Sequence, residues 1–407
     1  MFRPAGPPGR LPRRHPGRPA TRPPEPVEYL FARSNIYSRL IGMRWDNLRL
    51  DESAVESSGP GGRRARAGQA PALFERDAVA RTFDTPGFRG MTFFEVHAKS
   101  IINQVPPASR MAFRWTINPY RGCSHSCTYC FARSTHSYLD LDTGADFNSK
   151  IVVKVNAPEL ARKELAAPKW QGEHVAMGTN VDCYQRAEGR YRLMPGIIGA
   201  LRDAANPFSI LTKGTLILRD LDLLAEAAEI TDVGLNVSVG FTDRELSRSV
   251  EPGTPSPEAR LGICSAFTER GLRCGVLMGP VLPYLTDAPG QLEATVRLIA
   301  ETGAVHVTPI VLHLRPGARE WSLRWLGENY PELVKPYLSL YGRGAYAPKA
   351  YQQQIAGRVR ELAVRYGVGR SSPAAARRIG PPRSQQQSPP AASAASEPEG
   401  AVQLSLL

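Results

Sequence analysis

The sequence predicts an α/β fold, an incomplete (β/α)6-type barrel between disordered ends, and three observations carry that prediction. Strand-like and helix-like segments alternate through the middle of the chain. The strand-like segments are continuous apolar runs rather than alternating ones, the pattern of parallel strands covered on both faces. The residues richest in chemistry fall just after those runs, and a barrel of this kind carries its active face at the C-terminal ends of its strands.

Taken in order, residues 112–118 (AFRWTIN) read as a strand, followed by a cysteine-rich loop and a helix over about 128–138. Residues 151–155 (IVVKV) read as a short strand and 158–166 as a helix. Strand–helix pairs follow at 174–179 and 195–206, at 208–213 and 221–230, at 233–239 and 257–270, and at 274–281 and 292–302. A last strand covers 304–312, and a helical part runs over about 321–366. Six or seven such repeats over about 200 residues suit an incomplete TIM-type barrel better than a two-layer sandwich.

The domain expectation follows: a Pro/Arg-rich leader and Gly/Ala/Ser-rich linker over 1–71, an N-terminal extension over 72–111, the partial barrel over 112–315, a helical segment over 316–370 and a disordered tail over 371–407. Met43-Arg44-Trp45 offers a second candidate start. With 407 residues, 42% of them hydrophobic, the chain can bury a large core. No run of 18 apolar residues spans a membrane, and the N-terminus lacks the apolar stretch of a secretory signal. The net charge of +13 suits a polyanionic partner such as nucleic acid, although many of the arginines sit in the biased flanks. Six cysteines are too few for a disulfide framework in a chain this long. Three within eight residues point to metal ligation in a reducing, cytoplasmic setting.

Those three form Cys123-x3-Cys127-x2-Cys130. Three thiolates on one tight loop can hold three irons of a cubane [4Fe–4S] cluster and leave the fourth iron open to a ligand. Gly122 lets the backbone turn close to such a cluster, and Phe131 can pack beside it. Two other readings stand alongside: a zinc knuckle completed by His125 or His136, and a redox pair that needs no third cysteine.

The loop, its place after the first strand and the aromatic Tyr129 before the last cysteine resemble the radical S-adenosylmethionine (SAM) superfamily. Asn118-Pro-Tyr-Arg-Gly-Cys123, Tyr129-Cys-Phe-Ala-Arg133, Gly178-Thr-Asn-Val-Asp-Cys-Tyr-Gln185, Leu211-Thr-Lys213, Leu218-Arg-Asp220 and Ser256-Pro-Glu-Ala-Arg-Leu261 look like its branch related to spore photoproduct lyase. The resemblance covers about residues 90–370 and is nearest to a poorly characterised actinobacterial group. It implies a lyase-like enzyme that cleaves SAM reductively to a 5′-deoxyadenosyl radical, fed by a reductase or a flavodoxin- or ferredoxin-type donor.

The same resemblance implies that Cys123, Cys127 and Cys130 hold the cluster. Thr179, Asn180 and Asp182 would meet the SAM amino group, Lys213 its carboxylate, and Ser238 the carboxylate or ribose. A zwitterionic sulfonium does need a cation, acceptors and an apolar wall. Spore photoproduct lyase carries a hydrogen-donating cysteine before the site, where this chain reads Met177-Gly178-Thr179; Cys183 is the nearest thiol and the candidate donor. Arg260 with Glu251 has two readings, a support to the site and, ahead of it, a surface ion pair; Cys264 and Cys274 read as core. His313, at the end of the last strand, reads as structural. The non-catalytic alternative is a metal-stabilised nucleic-acid-binding protein.

Overall fold

The computed structural model describes residues 78–106, 109 and 111–368. The expectations for the leader, the linker and the tail lie outside the described residues.

The strands are β1 (Val79–Arg81), β2 (Thr92–Val96), β3 (Ile102–Gln104), β4 (Trp115–Ile117), β5 (Tyr120–Arg121), β6 (Lys150–Lys154), β7 (Val175–Met177), β8 (Phe208–Thr212), β9 (Val233–Ser238), β10 (Cys274–Val281) and β11 (His306–Val311). Seven of them form one sheet in the order β11-β10-β9-β8-β7-β4-β3. Six strands of it, β4 and β7 to β11, run parallel, and β3 closes one edge antiparallel. This is the six-stranded incomplete barrel that the apolar runs imply. The parallel register sets Met177 beside Ile210 and Thr212 beside Val237, so the segments leaving β7, β8 and β9 emerge side by side.

The helices are α1 (Ala145–Ser149), α2 (Ala157–Leu165), α3 (Arg186–Tyr191), α4 (Leu193–Asp203), α5 (Leu221–Ile230), α6 (Arg244–Val250), α7 (Pro257–Glu269), α8 (Pro289–Glu301), α9 (Ala318–Asn329), α10 (Val334–Tyr341) and α11 (Lys349–Tyr366). Two of them, α6 and α7, start on side-chain caps. Asp243 accepts from Leu246 N at the head of α6, and Ser256 from Ala259 N at the head of α7, where Pro257 takes the first turn. Both arrangements satisfy amides that a helix start leaves unpaired.

Two expectations change. The 151–155 run is a strand, β6, but it does not belong to the barrel. It pairs parallel with β2 and antiparallel with β5 in a four-stranded sheet ordered β1-β2-β6-β5. A short apolar run announces burial on both faces but not which sheet receives it. The helix expected over about 128–138 starts later, at Phe131–Leu139, and is of the 3-10 type. Ser134, Thr135 and Ser137 each turn a hydroxyl back to the carbonyl three residues earlier, side-chain bonding that competes with the α-helical ladder.

The small sheet also buries Lys154, whose pKa burial lowers to about 7, with Arg121 adding to the shift and Glu164 opposing it. A depressed lysine pKa means that between about pH 7 and 10.5 the unfolded chain holds the extra proton, so stability rises with pH across that window. Lys154→Met should remove this rise and gain on the order of a few kcal/mol at pH 7, read from urea melts at pH 7, 8 and 9. Parallel pH profiles for the variant and the parent would refute this.

Candidate active site

The cysteine loop leaves β5 through Gly122, whose φ is +76°. A Cβ there would lie 2.9 Å from both His136 Cε1 and the Lys150 carbonyl, so the turn requires glycine. Three consecutive turns follow: Ser126 N donates to Cys123 O, Cys130 N to Cys127 O and Arg133 N to Cys130 O, each at 3.3 Å. Cys123 and Cys127 are buried and Cys130 is half-buried. Burial raises all three thiols, Cys127 to about 12. Metal must therefore displace protons to bind here, as it does at any thiolate site.

Among the described residues, no three His, Cys, Asp or Glu side chains converge as ligands of one metal ion do. A cubane asks for less convergence, because each thiolate takes its own iron at a separate corner. The donor set fits that demand: three free cysteines on one tight loop. His136, offered above as a zinc ligand, bonds through Nε2 to the Lys150 carbonyl at 2.9 Å. His125 turns Nδ1 toward Asp182 at 3.4 Å.

Distant segments wall the loop in, and sequence reasoning assigned them no such role. Gln185, fully buried, accepts from Ser124 N and donates to Gly122 O, both at 2.9 Å. Thr128 N donates to Val250 O, and Gly253 N to His125 O. A Cβ at Gly253 would stand 2.0 Å from Ser124 O, so only glycine permits the approach. Ser322, on α9, donates to Thr128 O at 3.0 Å. Gly253 and Gln185 lie in the quoted motif or beside it, but the contacts they make are 61 residues away or more.

The segments leaving β7, β8 and β9 meet over this loop. Lys213 Nζ donates to Ser238 Oγ at 2.5 Å and stands 3.8 Å from Glu251. Ser238 in turn donates to Gly279 O at 3.0 Å. Asp182 takes Thr212 Oγ1 at 2.7 Å, Lys213 N at 2.6 Å and Tyr184 N at 2.8 Å. Burial raises its pKa, but His125 and these donors prevail and hold it at about 2. Asp182 is thus an ionised carboxylate that spends its oxygens within the protein and fixes the backbone of Lys213. Thr179 and Asn180, half-buried, make no side-chain hydrogen bond among the described residues.

Gly178 starts that segment with φ +75°. A Cβ would fall 1.8 Å from Leu211 O, which brings the β7 and β8 ends into backbone contact. Gly178→Ala should cost about 1–3 kcal/mol in denaturant melts. An unchanged midpoint would contradict the close approach.

Arg260 and Glu251 are a buried pair, not the surface pair expected above: Arg260 is 0% and Glu251 1% exposed, and they meet at 2.6 Å. Charged residues default to the surface in any reading of composition, and nothing local in the sequence signals that both are enclosed. Glu251 also accepts from the Tyr129 hydroxyl. Burial raises the Glu251 pKa, and Arg260 and then Lys213 overcome that and hold it below the ordinary glutamate value. The loop aromatic, the lysine and the buried pair thereby form one network beside the cysteine loop.

The structure does not bring Cys183 to an open surface. It is 1% exposed within the main core, in the company of Tyr120 and Tyr184, and burial keeps its thiol protonated. Cys264 and Cys274 are core, as expected. His313 pairs with Tyr346 at the edge of β11, and burial lowers its pKa to about 4.

The model of the radical SAM superfamily matches residues 117–299, from the end of β4 through the cysteine loop to α8. The chain belongs to the radical SAM superfamily. An uncharacterised protein of Mycobacterium tuberculosis is 50% identical over 299 residues, covering 74% of this chain and 88% of that protein. An uncharacterised protein of Methanocaldococcus jannaschii is 29% identical over 238 residues, covering 58% and 83%. Among solved structures, spore photoproduct lyase complexed with dinucleoside spore photoproduct superposes with a TM-score of 0.51 at 15% identity, covering 68% of this chain and 80% of that one. At that identity the likeness is one of fold. Radical SAM proteins are enzymes that work with SAM and an iron–sulfur cluster and draw on an electron donor, so the non-catalytic alternative gives way. No helix among the described residues is long and apolar enough to cross a membrane.

Proposed function

We propose that this radical SAM enzyme holds a [4Fe–4S] cluster on Cys123, Cys127 and Cys130, binds SAM over it, and abstracts hydrogen from a nucleic-acid substrate. The observation that carries the reading is Lys213. Its ammonium, at the end of β8, acts on the Cys127 and Cys130 thiols and is linked to Ser238 and Glu251, a cation beside the cysteine loop where a SAM carboxylate needs one.

When bound, the cluster supplies one electron, drawn from a flavodoxin- or ferredoxin-type donor, that splits SAM into methionine and a 5′-deoxyadenosyl radical. The chain's own residues bind and orient. Lys213 and Ser238 meet the carboxylate, Thr179 and Asn180 offer free acceptors to the amino group, and Asp182 holds Lys213 in register. Tyr129, anchored on Glu251, would set its ring beside the cluster. Cys183 is the candidate hydrogen donor only if the strand ends open toward it.

The nucleic-acid substrate is supported by the branch motifs and the charge of +13. The partial barrel (112–315), with its extension (72–111) and helical segment (316–370), is the proposed catalytic unit, working in the cytoplasm. The test is anaerobic: purify, reconstitute, reduce, and measure 5′-deoxyadenosine with and without polynucleotides. The expected result is a brown protein with about four irons per chain whose SAM cleavage rises with polynucleotide. A colourless zinc protein would sink the reading, and cleavage indifferent to polynucleotides would sink the substrate class. Retention of DNA in a salt-dependent way by residues 71–370 alone would favour nucleic acid further.

A further inference from the structure

Among the described residues two arginines are wholly buried, Arg133 and Arg260. Arg260 has its carboxylate, Glu251, at 2.6 Å. Arg133 has no carboxylate within salt-bridge distance among the described residues. Its guanidinium instead donates to Cys127 O at 3.1 and 2.9 Å, to Ser126 O at 3.3 Å, to Thr143 O at 3.2 Å, to Gly144 O at 2.8 Å and to Asn148 Oδ1 at 2.9 Å. The rings of Phe147 and Trp321 lie 5.1 and 4.9 Å from its Cζ. Carbonyl dipoles and π faces solvate a cation but leave its charge unbalanced, and an unbalanced buried charge is costly. Asp142, beyond ion-pair distance, acts on it less than Cys130, Cys127 and Cys123 do, so the anions best placed to balance it are those of the cysteine loop it clasps.

We propose that Arg133 is a positioning residue for the iron–sulfur centre: it pins the loop through the carbonyls of Ser126 and Cys127 and supplies the buried positive charge that balances the thiolate-held cluster. This rests on the cluster assignment above. Reduction by one electron from an external flavodoxin- or ferredoxin-class donor adds one negative charge close to the guanidinium. Arg133 therefore favours the reduced state and eases the electron's arrival. A lysine keeps the charge and loses the planar fork, and a glutamine loses the charge.

The test compares the parent with Arg133→Lys and Arg133→Gln as full chains, reconstituted anaerobically. The readouts are iron content, the cluster potential from an EPR-monitored redox titration, and the rise in melting temperature on loading. Arg133→Gln should show about a tenfold lower ratio of reduced to oxidised cluster at fixed potential, which is about 59 mV for one electron. Its rise in melting temperature on loading should also be smaller. Arg133→Lys should keep the parent's potential and load less iron. A Gln variant matching the parent in potential and in cluster-dependent stabilisation overturns the inference. If the Gln variant does not fold, Lys alone decides: the parent's potential supports the charge role, and a tenfold displacement overturns it. A parent that takes up no iron overturns the cluster assignment instead, which keeps the two failures apart.

Discussion

Replacing Cys127 with alanine should abolish iron uptake and SAM cleavage while leaving the fold intact. Cys127, the proposed middle ligand of three, sits on a loop whose turns are locked at both ends, so no neighbouring thiol can move into its place. Removing a partner behind a ligand costs about 10–100-fold in metal affinity or activity, and loss of a ligand itself should exceed that. Iron analysis, visible absorbance and 5′-deoxyadenosine release check the result. Cys264→Ala is the control: its thiol is fully buried in the core, so stability should fall while iron stays. A Cys127→Ala protein that remains brown and turns over would remove the basis of the assignment.

Glu251→Ala should be the most destabilising single change at the site. It strands Arg260, removes the carboxylate nearest Lys213 Nζ and deprives the Tyr129 hydroxyl of its acceptor. Breaking a buried pair from one side costs about 3–5 kcal/mol, because the remaining charge has lost its partner, whereas replacing both members with apolar residues of similar size is often neutral. Glu251→Leu combined with Arg260→Leu should therefore recover most of the stability lost in the single variant. Tyr129 and Lys213 would still be left unsupported, so SAM affinity should not recover with it. Urea midpoints and equilibrium SAM binding separate the two effects. A single variant within about 1 kcal/mol of the parent would mean that water already solvates the pair.

Much of the barrel was legible because its signals are local. The run at 274–281 and the Leu/Ala/Glu helix at 221–230 coincide with β10 and α5, since unbroken apolar strands and strong helix formers leave no competing pattern. The cysteine triad was legible for the same reason: its spacing is itself the signal. What the sequence hid lies in contacts between remote segments. β6 pairs with β2 and β5 rather than with a barrel strand, and periodicity carries no address. Arg260 and Glu251 are nine residues apart and enclosed together, yet each looks like an ordinary surface charge. Arg133 and Gln185 act on backbone carbonyls and amides, partners that every residue offers and that no motif records.

The bonds that wall the cysteine loop also bear on when the protein can be completed in the cell. A ribosome delivers Cys130 long before Val250 or Ser322, whose bonds to Thr128 close the loop's outer side. The 192 residues from Cys130 to Ser322 (322 − 130) take roughly 10–40 s at about 5–20 residues per second. Through that interval the three thiols emerge without their enclosure, open to oxidants and stray metals. Iron delivery that waits for the released chain would meet a finished pocket instead.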